Sequence, residues 1–274
     1  MKRIANLIIL SYFFITQMSA QGNAVELFNK AMEFKKSNNC IEVLSLLNKA
    51  IELKPDFSDA WLEKGWCLNE LNRPREAIAV LQKANTLSKN DYRNYFEMGH
   101  AYITLNETDS ALKYFRESLR IKPDHLAANV SVGDLYREKL NNPKQALNYY
   151  LKASKIDSNY KKSNYWIGWC YNESEKFDSA IFYLQKVVEI DPDNTPVSIE
   201  LGFAFYSLNK FSEAIKAFKP ALVAKPKPEL ALFYTAMCFV KTGNKEEALG
   251  KYNELAILNS PYAAKLLHEI EQMK

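Results

Sequence analysis

Glycine returns in this chain at a fixed interval. Gly65, Gly99, Gly133, Gly168 and Gly202 are separated by 34, 34, 35 and 34 residues, and they are five of its eight glycines. Ala77, Ala111, Ala146, Ala180, Ala214 and Ala248 keep the same beat, at intervals of 34, 35, 34, 34 and 34. Pro123, Pro192 and Pro226 each fall 12 residues after Ala111, Ala180 and Ala214. Three residue types sharing one period define a structural repeat. With so few glycines and no Gly- or Ser-rich linker, nothing in the sequence divides the chain into separate domains.

Within each period, apolar residues recur at i, i+3, i+4 and i+7, the signature of two amphipathic helices of about 12–14 residues. A glycine inside a helix costs about 1 kcal/mol against alanine, so its return needs a packing reason. Small residues at the eighth and twentieth positions of the unit let its two helices approach closely, with Tyr102, Phe115, Tyr136 and Tyr150 filling the space around the contact. Pro74 and Pro143 open second helices, where a missing N–H costs little. The proline near the end of the unit stops the second helix. The one 35-residue unit carries its extra residue in the turn around Leu140 to Asn142, where insertion is best tolerated.

The stretches "YFEMGHAYITLNETDSALKYFRESLRIKPD" and "WLEKGWCLNELNRPREAIAVLQKA" resemble the tetratricopeptide repeat family, whose unit reads W-x2-L-G-x2-Y…A-x3-F…P. Tyr95, Gly99, Tyr102, Ala111, Phe115 and Pro123 carry the match in one, and Trp61, Gly65, Ala77 and Leu81 in the other. The resemblance implies an all-α fold, a right-handed superhelical α-solenoid of helix–turn–helix repeats. Seven units are expected, at 24–57, 58–91, 92–125, 126–160, 161–194, 195–228 and 229–262. Residues 263–274 are expected to form a capping helix, with Ala263, Leu266, Leu267, Ile270 and Met273 turned inward, as repeat arrays need for solubility.

Residues 1–20, "MKRIANLIILSYFFITQMSA", place Lys2 and Arg3 before an apolar run from Ile4 to Ile15 and end in Ser19-Ala20. This is the order of a secretory signal peptide; the run is short for a membrane span, which takes about 20 residues. The expectation is an exported protein, periplasmic or extracellular, with no integral span once the signal is cut; an uncleaved anchor is the alternative. Removing Lys2 and Arg3 takes the net charge from +4 to +2. No basic excess or stripe of the nucleic-acid-binding kind is left.

"GWC" occurs twice, at Gly65–Cys67 and Gly168–Cys170, and could be read as a duplicated active site. Both cysteines fall at position 10 of their units, as does Cys238, while Ala101 and Ala204 hold that place elsewhere. The position wants a small apolar side chain, which buried cysteine supplies. Units advance by roughly 8–10 Å, so cysteines three units apart cannot meet in a disulfide; only Cys40 has a neighbouring unit's cysteine within conceivable reach. His100, His125 and His268 lie at no metal-ligand spacing, and HExxH, CxxC and GxSxG are missing. No enzymatic activity, metal or cofactor is expected. His125, just past the turn proline, reads as an exposed residue. The sequons at Asn106, Asn129 and Asn172 carry no weight by themselves.

In the resembled family, positions 2, 5, 9, 12 and 13 of the first helices line a concave face and point towards a partner. Positions 5 and 9 are mostly aromatic or apolar here. Phe28, Trp66, Phe96, His100, Tyr165, Trp169, Phe203 and Phe233 are therefore the candidate partner-binding residues, with Asn69, Glu70, Asn172 and Glu173 as a polar rim. Aromatic runs along a groove mark interaction sites. The expected partner is a protein or an extended peptide. Two other readings stand beside it: a glycan or cell-wall ligand stacked on the aromatic faces, and a second copy of the chain in the groove. The Lys/Asn carboxylate clamp of the chaperone-tail-binding members is replaced by Phe28, Met32, Leu62 and Trp66.

Overall fold

The computed structural model describes residues 21–273. The signal-like segment 1–20 and Lys274 lie outside the described residues. All regular structure among them is helical. Contacts divide the chain into two compact units, one up to Leu135 and one from Tyr136.

In the first unit, α1 covers 21–36. It is followed by α2 (Cys40–Leu53), α3 (Ser58–Glu70), α4 (Pro74–Leu87), α5 (Tyr92–Thr104), α6 (Thr108–Ile121) and the start of α7 (Leu126–Glu138). The second unit takes up the end of α7 and continues with α8 (Pro143–Ile156), α9 (Lys161–Glu173), α10 (Phe177–Ile190), α11 (Thr195–Ser207) and α12 (Phe211–Val223). It closes with α13 (Glu229–Lys241), α14 (Lys245–Ile257) and α15 (Tyr262–Glu271). In both, consecutive helices form hairpins joined by short turns.

The recurrent glycines sit where the two helices of a hairpin touch. A Cβ built on Gly99 would lie 2.6 Å from the Phe115 ring, one on Gly168 would lie 2.5 Å from Leu184, and one on Gly202 would lie 2.5 Å from the Phe218 ring; Gly65 meets Leu81 in the same way. All four partners are fully buried. The glycine is thus the socket for the large residue sixteen positions on, and the alanines Ala77, Ala111, Ala180 and Ala214 lie buried on the facing helices. Completely burying one such Phe or Leu contributes roughly 1.5–3 kcal/mol, which outweighs the helix-propensity cost of the glycine.

The hairpin turns share one conformation. Asn38, Asn72, Asn106, Asn141, Glu175, Asn209 and Gly243 all have positive φ, between 45° and 78°. In the turn after α3, Asn72 N bonds Asn69 O and Arg73 N bonds Leu68 O; the turn after α11 repeats this with Asn209 to Tyr206 and Lys210 to Phe205. This is the left-handed helix stop, in which the residue past the helix end turns back onto its last carbonyls. Asparagine tolerates that region through its short polar side chain, which explains five of the seven residues. The turn 139–142 is one residue longer, and Asn142 N closes on Tyr136 O, six residues back. Pro143 then opens α8, as Pro74 opens α4. Glu175, at φ 56°, is the one residue of the seven with neither licence. Glu175→Asn is expected to raise stability by about 1 kcal/mol, read as a higher midpoint in chemical denaturation.

Side chains also tie each hairpin to the turn before it. Trp61 Nε1 donates to Pro55 O at 2.9 Å, Asn129 Nδ2 to Pro123 O at 3.0 Å and Asn164 Nδ2 to Ser158 O at 2.8 Å. Asn129 and Asn172 are 1% and 5% exposed, so two of the three sequon asparagines are structural, with no surface for a glycan. At the C-terminus, α15 packs Leu266 and Ile270 onto a core that includes Leu232, Phe233, Ala248 and Leu255. Among the described residues, no helix is long and apolar enough to cross a membrane.

Candidate functional site

The first helices of successive hairpins are joined by contacts between residues 28 apart. In the first unit, Lys35 Nζ at the end of α1 lies 2.5 Å from Glu63 Oε2 on α3. Asn69 on α3 donates through Nδ2 to both Glu97 O (2.9 Å) and Glu97 Oε2 (3.0 Å) on α5. In the second unit, Asn172 on α9 makes the same pair of bonds to Glu200 on α11, at 3.0 and 2.8 Å. Tyr206 on α11 meets Tyr234 on α13 with ring centroids 5.1 Å apart. With the inserted residue, Arg137 and Trp166 complete the series, the guanidinium carbon 3.4 Å from the ring centre. Asn69 and Asn172 are therefore rungs between helices, not free members of a polar rim.

Two adjoining pockets open on this face of the first unit. One, of about 240 Å³, is lined by Lys35, Leu62, Glu63, Trp66, Tyr92, Arg93, Phe96, Glu97 and His125. The other, of about 280 Å³, shares Trp66, Phe96 and Glu97 and adds Asn69, Glu70, His100, Ile103 and Thr104. Trp66, Phe96 and His100, three of the residues singled out in the sequence, are thus brought together. Phe96 is edge-on to His100 and to His125, at 4.6 Å in both cases. His125 also meets Tyr92 edge-on at 4.9 Å. It is half-buried in the pocket wall rather than exposed, because the turn before α7 folds it back onto α5, and burial with nearby Lys122 holds its pKa below the usual histidine value. Lys35 Nζ stands 4.0 Å over the Trp66 ring.

Glu97 is the titratable centre of this site. Burial pushes its carboxyl up to about 7; the Asn69 hydrogen bond and Lys35 pull it down, while Glu63 and Glu70 push it up. Asn69 Oδ1 is buried without a partner, and a protonated Glu97 carries the donor that this oxygen lacks. Glu200 is raised for the same main reason, and Asn172 Oδ1 is likewise orphaned. Each unit therefore holds an amide–carboxyl pair whose neutral form is the better satisfied one.

The remaining candidates fall in different surroundings. Phe28 packs its ring against Phe57 at 4.9 Å, apart from the two pockets. Tyr165 and Trp169 meet through Trp166, at 4.6 and 5.9 Å. Phe203 lies 5.3 Å from Tyr234 and 6.0 Å from Phe177. Phe233 is 4% exposed, held against Tyr262 and the α15 core. Its place in the list needs correcting: once the last helix is packed, this position belongs to the interior.

The GWC cysteines are buried and free. Cys67 Sγ donates to Cys40 O at 3.7 Å. Burial raises the Cys67 thiol well above its ordinary value and pushes Cys170 and Cys238 up to about 12. Since the thiolate is the reactive form, maleimide at about pH 8 should leave these three unlabelled in the native protein and label them once guanidinium unfolds it. Labelling of the native protein at the unfolded rate would contradict this burial.

Consecutive helical hairpins with one socket pattern define a helical-repeat protein. Models described as tetratricopeptide repeat match residues 46–79, 92–125, 126–160, 171–237 and 230–257, and the chain belongs to the tetratricopeptide repeat family. It is similar to anaphase-promoting complex subunit 3 of Schizosaccharomyces pombe, at 24% identity over 177 residues, covering 65% of this chain and 26% of that protein. It is also similar to the peroxisomal targeting signal receptor of Kluyveromyces lactis, at 22% over 225 residues, covering 82% and 38%. The chain thus spans about a quarter to two fifths of the length of these curated relatives. Among solved structures it resembles YrrB, a TPR protein with an unusual peptide-binding site, with a TM-score of 0.60, 23% identity and coverage of 68% of this chain and 95% of that one. It also resembles pilF of Pseudomonas aeruginosa, with a TM-score of 0.61, 16% identity and coverage of 77% and 97%. At these identities the likeness shows the fold. Proteins of this family are generally non-catalytic interaction scaffolds.

Proposed function

We propose that the chain is an exported, non-catalytic scaffold that holds an extended segment of a partner protein along the face formed by its first helices. The observation that carries this reading is the pair of adjoining pockets around Trp66, Phe96 and Glu97. They combine partly open aromatic faces with hydrogen-bonding groups in two adjoining recesses. Aromatic anchors in partly desolvated pockets carry most of the energy at such interfaces, and charged groups at the pocket edge, Glu70 among them, set register. The signal-like order of residues 1–20 supports export.

The test is affinity capture from an envelope extract with residues 21–274, beside Trp66→Ala and Trp169→Ala versions of matching helicity. A protein retained by the parent and lost by Trp66→Ala supports the reading, and cross-linking from position 66 should then map to one stretch of that partner. Identical capture by all three versions would sink it. Release of the partner by soluble saccharides instead of by its own peptide would move the ligand class to glycans.

A further inference from the structure

The pockets of the first unit contain a cation already, one of the chain's own. Lys35 Nζ stands 4.0 Å above the Trp66 ring and 2.5 Å from Glu63 Oε2. An aromatic face with a carboxylate beside it is the arrangement that takes up a lysine or arginine side chain, through the ring quadrupole and an ion pair together. Lys35 reaches it from the end of α1, a different helix from the α3 that carries both Trp66 and Glu63.

The charges around this seat are unequal. From α1 comes Lys35; from α3, Asp59, Glu63 and Glu70; from α5 and the residue just before it, Asp91, Arg93, Glu97 and His100; from the turn between α6 and α7, Lys122, whose Nζ lies 4.8 Å from the Tyr92 ring centre, with Asp124 and His125. Arg93 is taken up by Asp91 at 2.6 Å and Asp59 at 2.8 Å, and Lys35 by Glu63. Among the described residues, Glu70 at the edge of the second pocket has no ion-paired cation, while Glu97, on the wall the two pockets share, is held partly neutral by burial with Lys35 acting on it. The site therefore carries one seated cation and room, in charge and in space, for another.

The second unit shows that the position itself suits this chemistry. There Arg137, at the place in its repeat that Lys35 holds in the first, lies 3.4 Å over the ring of Trp166 and is ion-paired with Glu138. Two different cations at the same repeat position thus lie over tryptophans, Trp66 at the ninth position of the next unit and Trp166 at the sixth.

We infer that the pocketed face of the first unit recognises a lysine or arginine side chain of the partner segment, seated on Trp66 between Glu63, Glu70 and Glu97, with Lys35 as the intramolecular occupant that it displaces or joins. This rests on the partner-binding reading of the same face. It adds the partner's chemistry: a basic, extended segment.

The experiment measures binding of a short fluorescent Gly/Ser/Lys peptide, and of its Gly/Ser/Glu counterpart, to the parent and to three variants. Lys35→Met keeps the apolar stem and removes the charge, so it should strengthen binding of the lysine peptide about five- to tenfold, and the gain should shrink in high salt. Lys35→Arg leaves the seat filled and should bind like the parent. Glu70→Gln, on an exposed edge that folding does not need, should weaken the lysine peptide severalfold. The opposite pattern, with the glutamate peptide bound by the parent and lost in Lys35→Met, would overturn the inference in favour of an anion site built on Lys35. No change in either peptide across the variants would overturn it as well, leaving Lys35 a purely structural strut. A partner captured in a Trp66-dependent way but not displaced by the lysine peptide defeats this inference alone; capture indifferent to Trp66 defeats the underlying reading.

Discussion

Gly99→Ala and Gly202→Ala should each destabilise the protein by up to about 2 kcal/mol, while Gly250→Ala should stabilise it by about 1 kcal/mol. All three put a methyl group into the interior of an α-helix, where alanine is worth about 1 kcal/mol more than glycine. The difference lies in what the methyl meets. On Gly99 or Gly202 it would come within 2.6 Å of a buried phenylalanine ring, whereas around Gly250 there is open space within 4 Å. Phe115 and Phe218 are fully enclosed, so the hairpin must spread to admit the new atom, and overpacking of this kind costs about 1–3 kcal/mol. Urea titrations followed by circular dichroism measure all three. Equal gains in stability at the three sites would mean that the close approach of the helices is not what the glycines serve.

The pH dependence of stability should bear the mark of Glu97. Its carboxyl has an ordinary value of 4.5 and is raised to about 7 in the folded chain. Between those values the folded state keeps the proton that the unfolded state has released. The folded state then binds more protons, so stability falls as pH rises through this window and levels off above about 7. The contribution is fully present below about pH 4.5 and amounts to about 3 kcal/mol at most, at 1.36 kcal/mol for each tenfold change in proton affinity. Glu97→Gln reproduces the neutral carboxyl: its amide can accept from Asn69 Nδ2 and donate to the orphaned Asn69 Oδ1. The variant should match the parent near pH 4.5 and exceed it at pH 8, with the slope in between largely gone. Denaturation midpoints across that range decide it, and parallel profiles for parent and variant would remove Glu97 from the account.

Helix periodicity, the 34-residue beat and the socket role of the glycines were legible because each rests on residue type and spacing alone. The inserted residue at 139–142 was legible for the same reason. The Trp66–Phe96–His100 grouping followed from the family's inner positions, and the structure gathers those three around two pockets. What escaped notice was pairwise. Lys35 and Glu63, Asn69 and Glu97, Asn172 and Glu200 are 28 residues apart and chemically matched, a signal that was present in the sequence and is seen only by comparing position 12 of one unit with position 6 of the next. The left-handed turn residues were similarly visible as asparagines at 38, 72, 106, 141 and 209. His125 and Phe233 could not be placed from the repeat pattern, since the first depends on how a turn folds back onto α5 and the second on the docking of α15 beyond the repeats.

The rungs between first helices imply that the order of the repeats is restricted. Lys35, Asn69 and Asn172 each need a carboxylate at the sixth position of the hairpin that follows, which Glu63, Glu97 and Glu200 supply, while Arg137 meets Trp166 and Tyr206 meets Tyr234. Hairpins with nearly identical sockets therefore differ in which neighbours they accept. A permuted chain that placed the Trp166 or Tyr234 hairpin directly after Asn69 would leave that amide without its carboxyl partner. The sockets make each hairpin; the rungs limit which hairpin can follow which, as grammar limits the order of words that are all correctly spelled.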